Sequence, residues 1–199
     1  MVLSGYKWKM TNTSCTAFAG SVRIASGELR EVVLAAKAVW DRDKWAQVLI
    51  FDDLTSELVE VDLNGSPEDV RRRVAEGAAD EPRKRGRPKL GVVAREVTLL
   101  PRHWDWLASQ PGGASVALRK LVEQAKATNR GRDRRRRAQE AAYRFISAMA
   151  GNEPGFEEAT RALFAGKKDR FDEMVEAWPA DVREHAKKLA AAVFGEIAE

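Results

Sequence analysis

The chain has 199 residues, of which 44% are hydrophobic, and carries a net charge of +4 at pH 7. This apolar fraction excludes a chain that is disordered as a whole, and the length allows one to three small domains with their own cores. The single cysteine, Cys15, cannot form an internal disulfide and has no partners for a zinc site, which favours a reducing compartment.

The positive charge is concentrated in the middle of the chain. Residues 81–137 hold 16 Lys and Arg against 5 Asp and Glu, a net charge of +11. Residues 1–80 have a net charge of −3 and residues 138–199 one of −4. A basic segment between two mildly acidic flanks indicates one region that faces a polyanion, and a solvated, charged linker is the alternative.

Residues 1–75 predict a small domain with the order β-α-β-β-α. Apolar spacing favours a strand, then a helix, then two strands that form a hairpin around Asp52-Asp53. Ser66 followed by Pro67 is typical of a helix start. The predicted elements are a strand over 16–24, a helix over 28–41, strands over 48–51 and 58–63, and a helix from Pro67.

Residues 76–92 predict a basic linker that resembles the AT-hook. The resemblance is carried by the run Arg83-Lys84-Arg85-Gly86-Arg87-Pro88-Lys89. In that family an extended Arg-Gly-Arg segment lies in the narrow minor groove of A·T-rich DNA, whose negative potential attracts guanidinium groups. The glycine permits close backbone approach and the proline favours an extended chain, while the flanking lysines can reach phosphates. A flexible basic linker and an RNA contact remain alternatives.

Residues 93–128 predict a strand followed by two helices. Val97-Thr98-Leu99 alternates as a strand, Pro101 opens a helix, and Ser115 can cap the next one after Pro111-Gly112-Gly113. This arrangement resembles a ribbon-helix-helix domain, in which two chains pair one strand each into a ribbon that enters the major groove. The resemblance implies a homodimer.

The ribbon interpretation assigns DNA contacts by strand alternation and by helix geometry. By strand alternation Glu96 and Thr98 would face DNA, and Arg95 is a further candidate DNA contact. Backbone N–H groups near Gly113 and Ser115 would bind a phosphate. The negative charge of Glu96 is unfavourable beside phosphates, although a carboxylate can accept a hydrogen bond from the amino group of cytosine. A helix-turn-helix, on the spacing of Ala108, Gly112 and Leu118, and a plain helical hairpin remain alternatives.

Residues 129–199 predict a helical bundle that begins with a second basic cluster. If a helix begins near Asp133, several arginines lie at its N-terminus, where the helix dipole disfavours cations and a phosphate would relieve them. A helix that continues unbroken from the preceding one removes that argument. The cluster consists of Arg130, Arg132, Arg134, Arg135, Arg136 and Arg137.

Several segments also resemble a family of uncharacterised bacterial proteins, domain of unknown function 2239. They include Val48-Leu49-Ile50-Phe51-Asp52-Asp53, Gly86 to Val97, and Trp178-Pro179-Ala180-Asp181. The family implies no established activity. No phosphate loop, nucleophile motif or His/Cys cluster is visible, so we expect neither an enzyme nor a bound cofactor or metal.

The sequence as a whole therefore predicts an α+β, dimeric, bacterial DNA-binding protein that prefers A·T-rich duplex. A transcriptional regulator and a nucleoid-associated protein are both compatible with it, as is an RNA-binding or protein-interaction module whose basic segment is a docking tail. The sequence has no signal-peptide pattern and no apolar run long enough for a membrane span, so we expect it in the cytoplasm, on the nucleoid.

Overall fold

A computed structural model describes residues 14–78 and 95–195. The chain is mixed α+β, with a three-stranded antiparallel sheet near the N-terminus followed by a helical region. It divides into two compact units, which we call the core unit (residues 1–81 and 134–199) and the middle unit (residues 82–133). The elements are β1 (Ser14–Ala19), β2 (Val22–Glu28), α1 (Leu29–Arg42), β3 (Val48–Asp52), α2 (Pro67–Ala78), α3 (Pro101–Ala108), α4 (Gly113–Ala150), α5 (Phe156–Ala165), α6 (Lys168–Met174) and α7 (Ala180–Ala191).

The sheet has the strand order β2-β1-β3, with β1 antiparallel to both neighbours. Because alternate side chains of a strand point to opposite faces, β1 contributes to two separate cores. Cys15 and Ala17 pack with apolar residues of α1 and α2, whereas Phe18 packs with residues of the C-terminal helices. The sheet therefore lies between two helical layers.

Aromatic rings join the sheet to the C-terminal helices. Phe18 of β1, Phe51 of β3 and Phe145 of α4 are fully buried and contact one another, with ring centroids 5.2 to 6.2 Å apart. Edge-to-face packing of this kind adds to the free energy gained by burying the rings. The N-terminal and C-terminal stretches consequently share one core, although about 90 residues separate Phe51 from Phe145 in sequence.

The predicted order β-α-β-β-α is wrong; the observed order is β-β-α-β-α. The strand predicted over 16–24 is a hairpin, since Gly20 lies in its turn with φ of +56°. The strand predicted over 58–63 makes only one bridge to β3, between Phe51 and Leu58. Its alternating apolar residues Val59, Val61 and Leu63 pack against the α1/α2 side of the sheet, and alternation of this kind follows from burial of one face whether or not a strand ladder forms.

Several helix predictions are confirmed. Helices α1, α2 and α3 begin within one residue of their predicted positions. Ser66 stabilises the start of α2 reciprocally: Asp69 N–H donates to Ser66 Oγ (3.2 Å), and Ser66 N–H donates to the Asp69 carboxylate (3.0 Å). The hydrogen bonds from Ser66 hold the pKa of Asp69 below its usual value. Local start signals are therefore sufficient to predict these helices.

Of the two alternatives for the second basic cluster, a helix that begins near Asp133 is wrong and the unbroken helix is the one observed. Helix α4 runs without interruption from Gly113 to Ala150, a length of 38 residues. Asp133 therefore lies inside the helix, and the arginines around it are not at a helix N-terminus. The dipole argument for a phosphate at that place no longer applies.

Candidate nucleic-acid interface

The predicted minor-groove hook lies outside the described residues. All seven of its members precede residue 95, where the description of the middle unit begins. The assignment of these residues to DNA therefore remains a prediction from their sequence.

The segment predicted as a DNA-facing strand precedes α3 without regular secondary structure. Arg95, Glu96 and Thr98 are exposed, as are Val97 and Leu100, whereas Leu99 is half-buried. Within residues 14–78 and 95–195, no strand pairs with this segment. A ribbon needs one strand from each of two chains, so a single chain leaves this prediction untested.

Helices α3 and α4, joined by a short turn, correspond to the two helices predicted for residues 93–128. Pro101 occupies the first turn of α3, and the turn before α4 contains Gly112 with φ of +85°. A Cβ at Gly112 would lie 3.1 Å from the Val116 side chain, so glycine suits this position on two grounds. The sequence signals at both ends of the turn thus have a direct structural counterpart.

Gly113 and Ser115 occupy the first turn of α4. The prediction that Ser115 caps this helix is wrong, because α4 begins at Gly113 and Ser115 lies inside it. The Gly113 N–H already donates to Gln110 O at 2.9 Å. Any anion at this helix start would therefore depend on the N–H groups that follow Gly113.

Basic side chains of the middle unit lie on the surface of α4. Arg130 and Arg132 are exposed, as phosphate contacts require. The same holds for Arg119 and Lys126, which the sequence reasoning missed; they are seven residues apart and so share one face of the helix. Their seven-residue spacing is the signal that could have identified them.

The remaining basic cluster belongs to the core unit. Arg134, Arg135, Arg136 and Arg137 are exposed on α4. Arg135 also has a structural contact, because its guanidinium lies against Gly166 at the C-terminus of α5, where the negative end of the helix dipole favours a cation. The left-handed backbone of Gly166, with φ of +69°, favours glycine at this helix end.

A second polar cluster lies on the sheet side of the core unit. Asp53 accepts hydrogen bonds from Thr16 Oγ1 (2.6 Å) and Ser14 Oγ (2.9 Å), and Lys188 Nζ lies 3.4 Å away. Burial raises the pKa of Asp53, but these hydrogen bonds and Lys188 outweigh it, so the pKa lies below its usual value. Asp52 accepts backbone N–H bonds within its own turn, which confirms the predicted turn role.

A buried histidine and a buried cysteine lie beside this cluster. His185 is 1% exposed, and neither ring nitrogen has a hydrogen-bond partner among the described residues. Burial lowers the pKa of His185 to about 4. Burial, with Asp52 and Asp53 nearby, raises the pKa of Cys15 to about 11, so its thiol stays protonated.

Comparison with known proteins places the chain in one family. The family model described as an uncharacterized protein conserved in bacteria (DUF2239) matches residues 14–190. The chain belongs to this family. No curated protein and no solved structure matches it. In the stretches that the structure describes, no helix is long and apolar enough to cross a membrane, and no three metal-ligating side chains cluster.

Proposed function

We propose that this chain is a homodimeric DNA-binding protein, acting as a transcriptional regulator or as a nucleoid-associated protein. The observation that carries the proposal is the concentration of charge: residues 81–137 have a net charge of +11, and the described arginines among them are exposed. Duplex DNA carries one negative charge per about 1.7 Å of helix axis, so a dense basic surface of this kind has an obvious partner.

Two contacts with different grooves follow from the sequence of the middle unit. The hook around Arg85 and Arg87 would enter the narrow minor groove of an A·T-rich tract, where the groove potential is most negative. The segment from Arg95 to Thr98 would pair with its copy in a second chain and enter the major groove. The first contact selects A·T-rich duplex, and the second sets the distance between two half-sites.

A second copy of the chain is supported by the apolar surface of the middle unit. Between residues 95 and 133 only Leu107 and Ala117 are buried apolar side chains, and neither belongs to a core cluster. Six large apolar side chains of the same stretch are exposed: Val97, Leu100, Trp104, Trp106, Leu121 and Val122. So small a core does not stabilise a helical hairpin by itself, and a partner chain would cover these side chains.

The proposal is tested by fluorescence-anisotropy titration of the full chain on A·T-rich and G·C-rich duplexes at two salt concentrations. We expect tighter binding to the A·T-rich duplex, and a loss of at least about ten-fold for Arg85→Ala with Arg87→Ala on that duplex alone. The matched control is Arg71→Ala with Arg72→Ala, which removes the same charge from the exposed surface of α2. An equal loss of affinity on both duplexes, or an equal loss in the control variant, would mean that the hook contributes only nonspecific electrostatic attraction.

A further inference from the structure

An exposed aromatic pair lies on the core unit, away from the sheet. Tyr143 of α4 and Phe164 of α5 are 42% and 50% exposed, and their rings meet edge to face with centroids 5.6 Å apart. Among the described residues, the apolar cluster that fills this layer includes neither ring. Two aromatic side chains that contact each other and still face solvent therefore offer ring surface to something outside the chain.

Polar contacts fix the backbone on which this pair stands. The Gln139 side-chain amide donates to Leu163 O (3.3 Å) and Phe164 O (3.2 Å), which ties α4 to the last turn of α5. Gly166, with φ of +69°, ends α5 directly after that turn. These contacts order the backbone that carries Phe164, so less of the chain has to become ordered when a ligand binds there.

Basic residues lie near both members of the pair along the chain. Arg135 lies against Gly166, and exposed Lys167 follows it. Arg136 is exposed two helical turns before Tyr143, so the helical period places both on one face of α4. Glu140, one turn before Tyr143, is the exposed carboxylate of the same helix stretch, and it is outnumbered by these cations. Exposed aromatic rings with basic residues on the same helix face and at the adjacent helix end match a strand of unpaired nucleotides, whose bases stack while the phosphates meet the cations.

We propose that Tyr143 and Phe164 form a stacking surface for unpaired bases of single-stranded nucleic acid, with Arg135, Arg136 and Lys167 neutralising the adjacent phosphates. This site goes beyond duplex binding, because a stacked base pair does not present its faces to protein side chains. The shared chemistry of DNA and RNA single strands is a flat base on an anionic backbone, and the experiment separates the two sources.

The test measures binding of the full chain to oligo-dT, to oligo-rU of equal length and to duplex DNA. We expect Phe164→Ala and Tyr143→Ala each to weaken single-strand binding by roughly ten-fold while leaving duplex binding unchanged. Tyr143→Phe, which keeps the ring, should bind like the parent chain. The matched control is Trp45→Ala, which removes an aromatic side chain that is 93% exposed elsewhere on the core unit.

Two further measurements do not depend on how well the alanine variants fold. Lys167→Gln should lower the slope of log affinity against log salt for single strands by about 0.7, the value for one phosphate contact. Photocrosslinking of a bromouracil-containing strand to the parent chain should label a peptide that contains Tyr143 or Phe164. The strand is prepared both as RNA and as DNA. Stronger crosslinking of the RNA strand identifies RNA as the ligand, and stronger crosslinking of the DNA strand identifies DNA.

The proposal is overturned if Phe164→Ala and Tyr143→Ala bind single strands as well as the parent chain, or if crosslinks map elsewhere. It is also overturned if the parent chain binds duplex but no single strand, an outcome that leaves the proposed duplex function intact. If the parent chain binds single strands but not duplex DNA, that result contradicts the proposed duplex function and supports this site. A protein partner captured by the aromatic pair without any single-strand affinity would likewise count against it.

Discussion

The core unit and the middle unit of this chain differ in what holds them together. In the core unit, apolar clusters on the opposite faces of one sheet join the strands to the helices. Among the described residues of the middle unit, only Leu107 and Ala117 are buried apolar side chains, while six large ones are exposed. The same chain thus combines a core unit that is packed on both faces of its sheet with a basic segment whose large apolar side chains are mostly exposed. Stability and binding are therefore expected to respond to different residues.

The largest expected effect is the loss of a ring from the shared core. Phe145→Ala removes a fully buried ring that contacts both Phe18 and Phe51, and we expect it to lower the free energy of unfolding by about 3–5 kcal/mol. Trp106→Ala in the middle unit removes a ring that is 52% exposed and should change it by less than about 1 kcal/mol. Urea unfolding followed by circular dichroism measures both, and equal losses would erase the distinction between the units.

Acid should destabilise the core unit through His185. Its folded pKa of about 4 lies below the ordinary 6.5, so the unfolded chain binds the proton more tightly. The contribution of neutral His185 to the free energy of unfolding is fully present above pH 6.5. It is lost as the pH falls toward 4, by about 3 kcal/mol in total. Asp53 favours the charged imidazole, whereas Lys188 and Arg23 oppose it.

Unfolding measured from neutral pH down to the folded pKa of about 4 should show this slope in the parent chain and a flatter one in His185→Leu. The control is His103→Leu, which removes the exposed histidine of α3 and should keep the slope. If the stability of the parent chain is constant across this interval, the folded chain accommodates the charged imidazole of His185, and the lowered pKa is contradicted. Asp53, whose pKa is lowered, loses its contribution only at more acidic pH.

Association of two chains should depend on the middle unit. Leu99→Asp puts a charge into the segment proposed to pair between chains, and we expect the dimer to weaken by at least about ten-fold in sedimentation velocity. Leu54→Asp is the matched control, because Leu54 is 80% exposed on the core unit. A dimer that survives Leu99→Asp would argue against the ribbon and in favour of a helix-turn-helix or a plain hairpin.

The smallest effects concern two glycines of the middle unit. Gly131→Ala should stabilise α4 by about 0.5–1 kcal/mol, because glycine is a poor helix residue and a Cβ there meets no atom within 4 Å. Gly112→Ala should destabilise the turn by about 1–2 kcal/mol, since φ is +85° and the Val116 side chain is close. Hydrogen exchange of the α3 and α4 amides measures both, and a stabilised Gly112→Ala would contradict the turn geometry.

How much the sequence predicts depends on the distance over which each signal acts. The starts of α2 and α3 are set within a few residues, by Ser66 with Asp69 and by Pro101, and both are predictable. The pairing partner of each strand cannot be predicted in this way, because apolar alternation is the same whether a strand pairs with β1 or packs on a helix. The aromatic pair of Tyr143 and Phe164 escapes prediction for the same reason, since 21 residues separate its members.

The sequence by itself determined the charge division of this chain, its family, its α+β character and the local starts of its helices, because these depend on composition or on neighbouring residues. The tertiary structure alone decided that the sheet shares one core with the last helices, that α4 passes unbroken through the arginine cluster, and that His185 is buried with no hydrogen-bond partner among the described residues. Those features depend on contacts between residues far apart in sequence, which only the folded chain brings together.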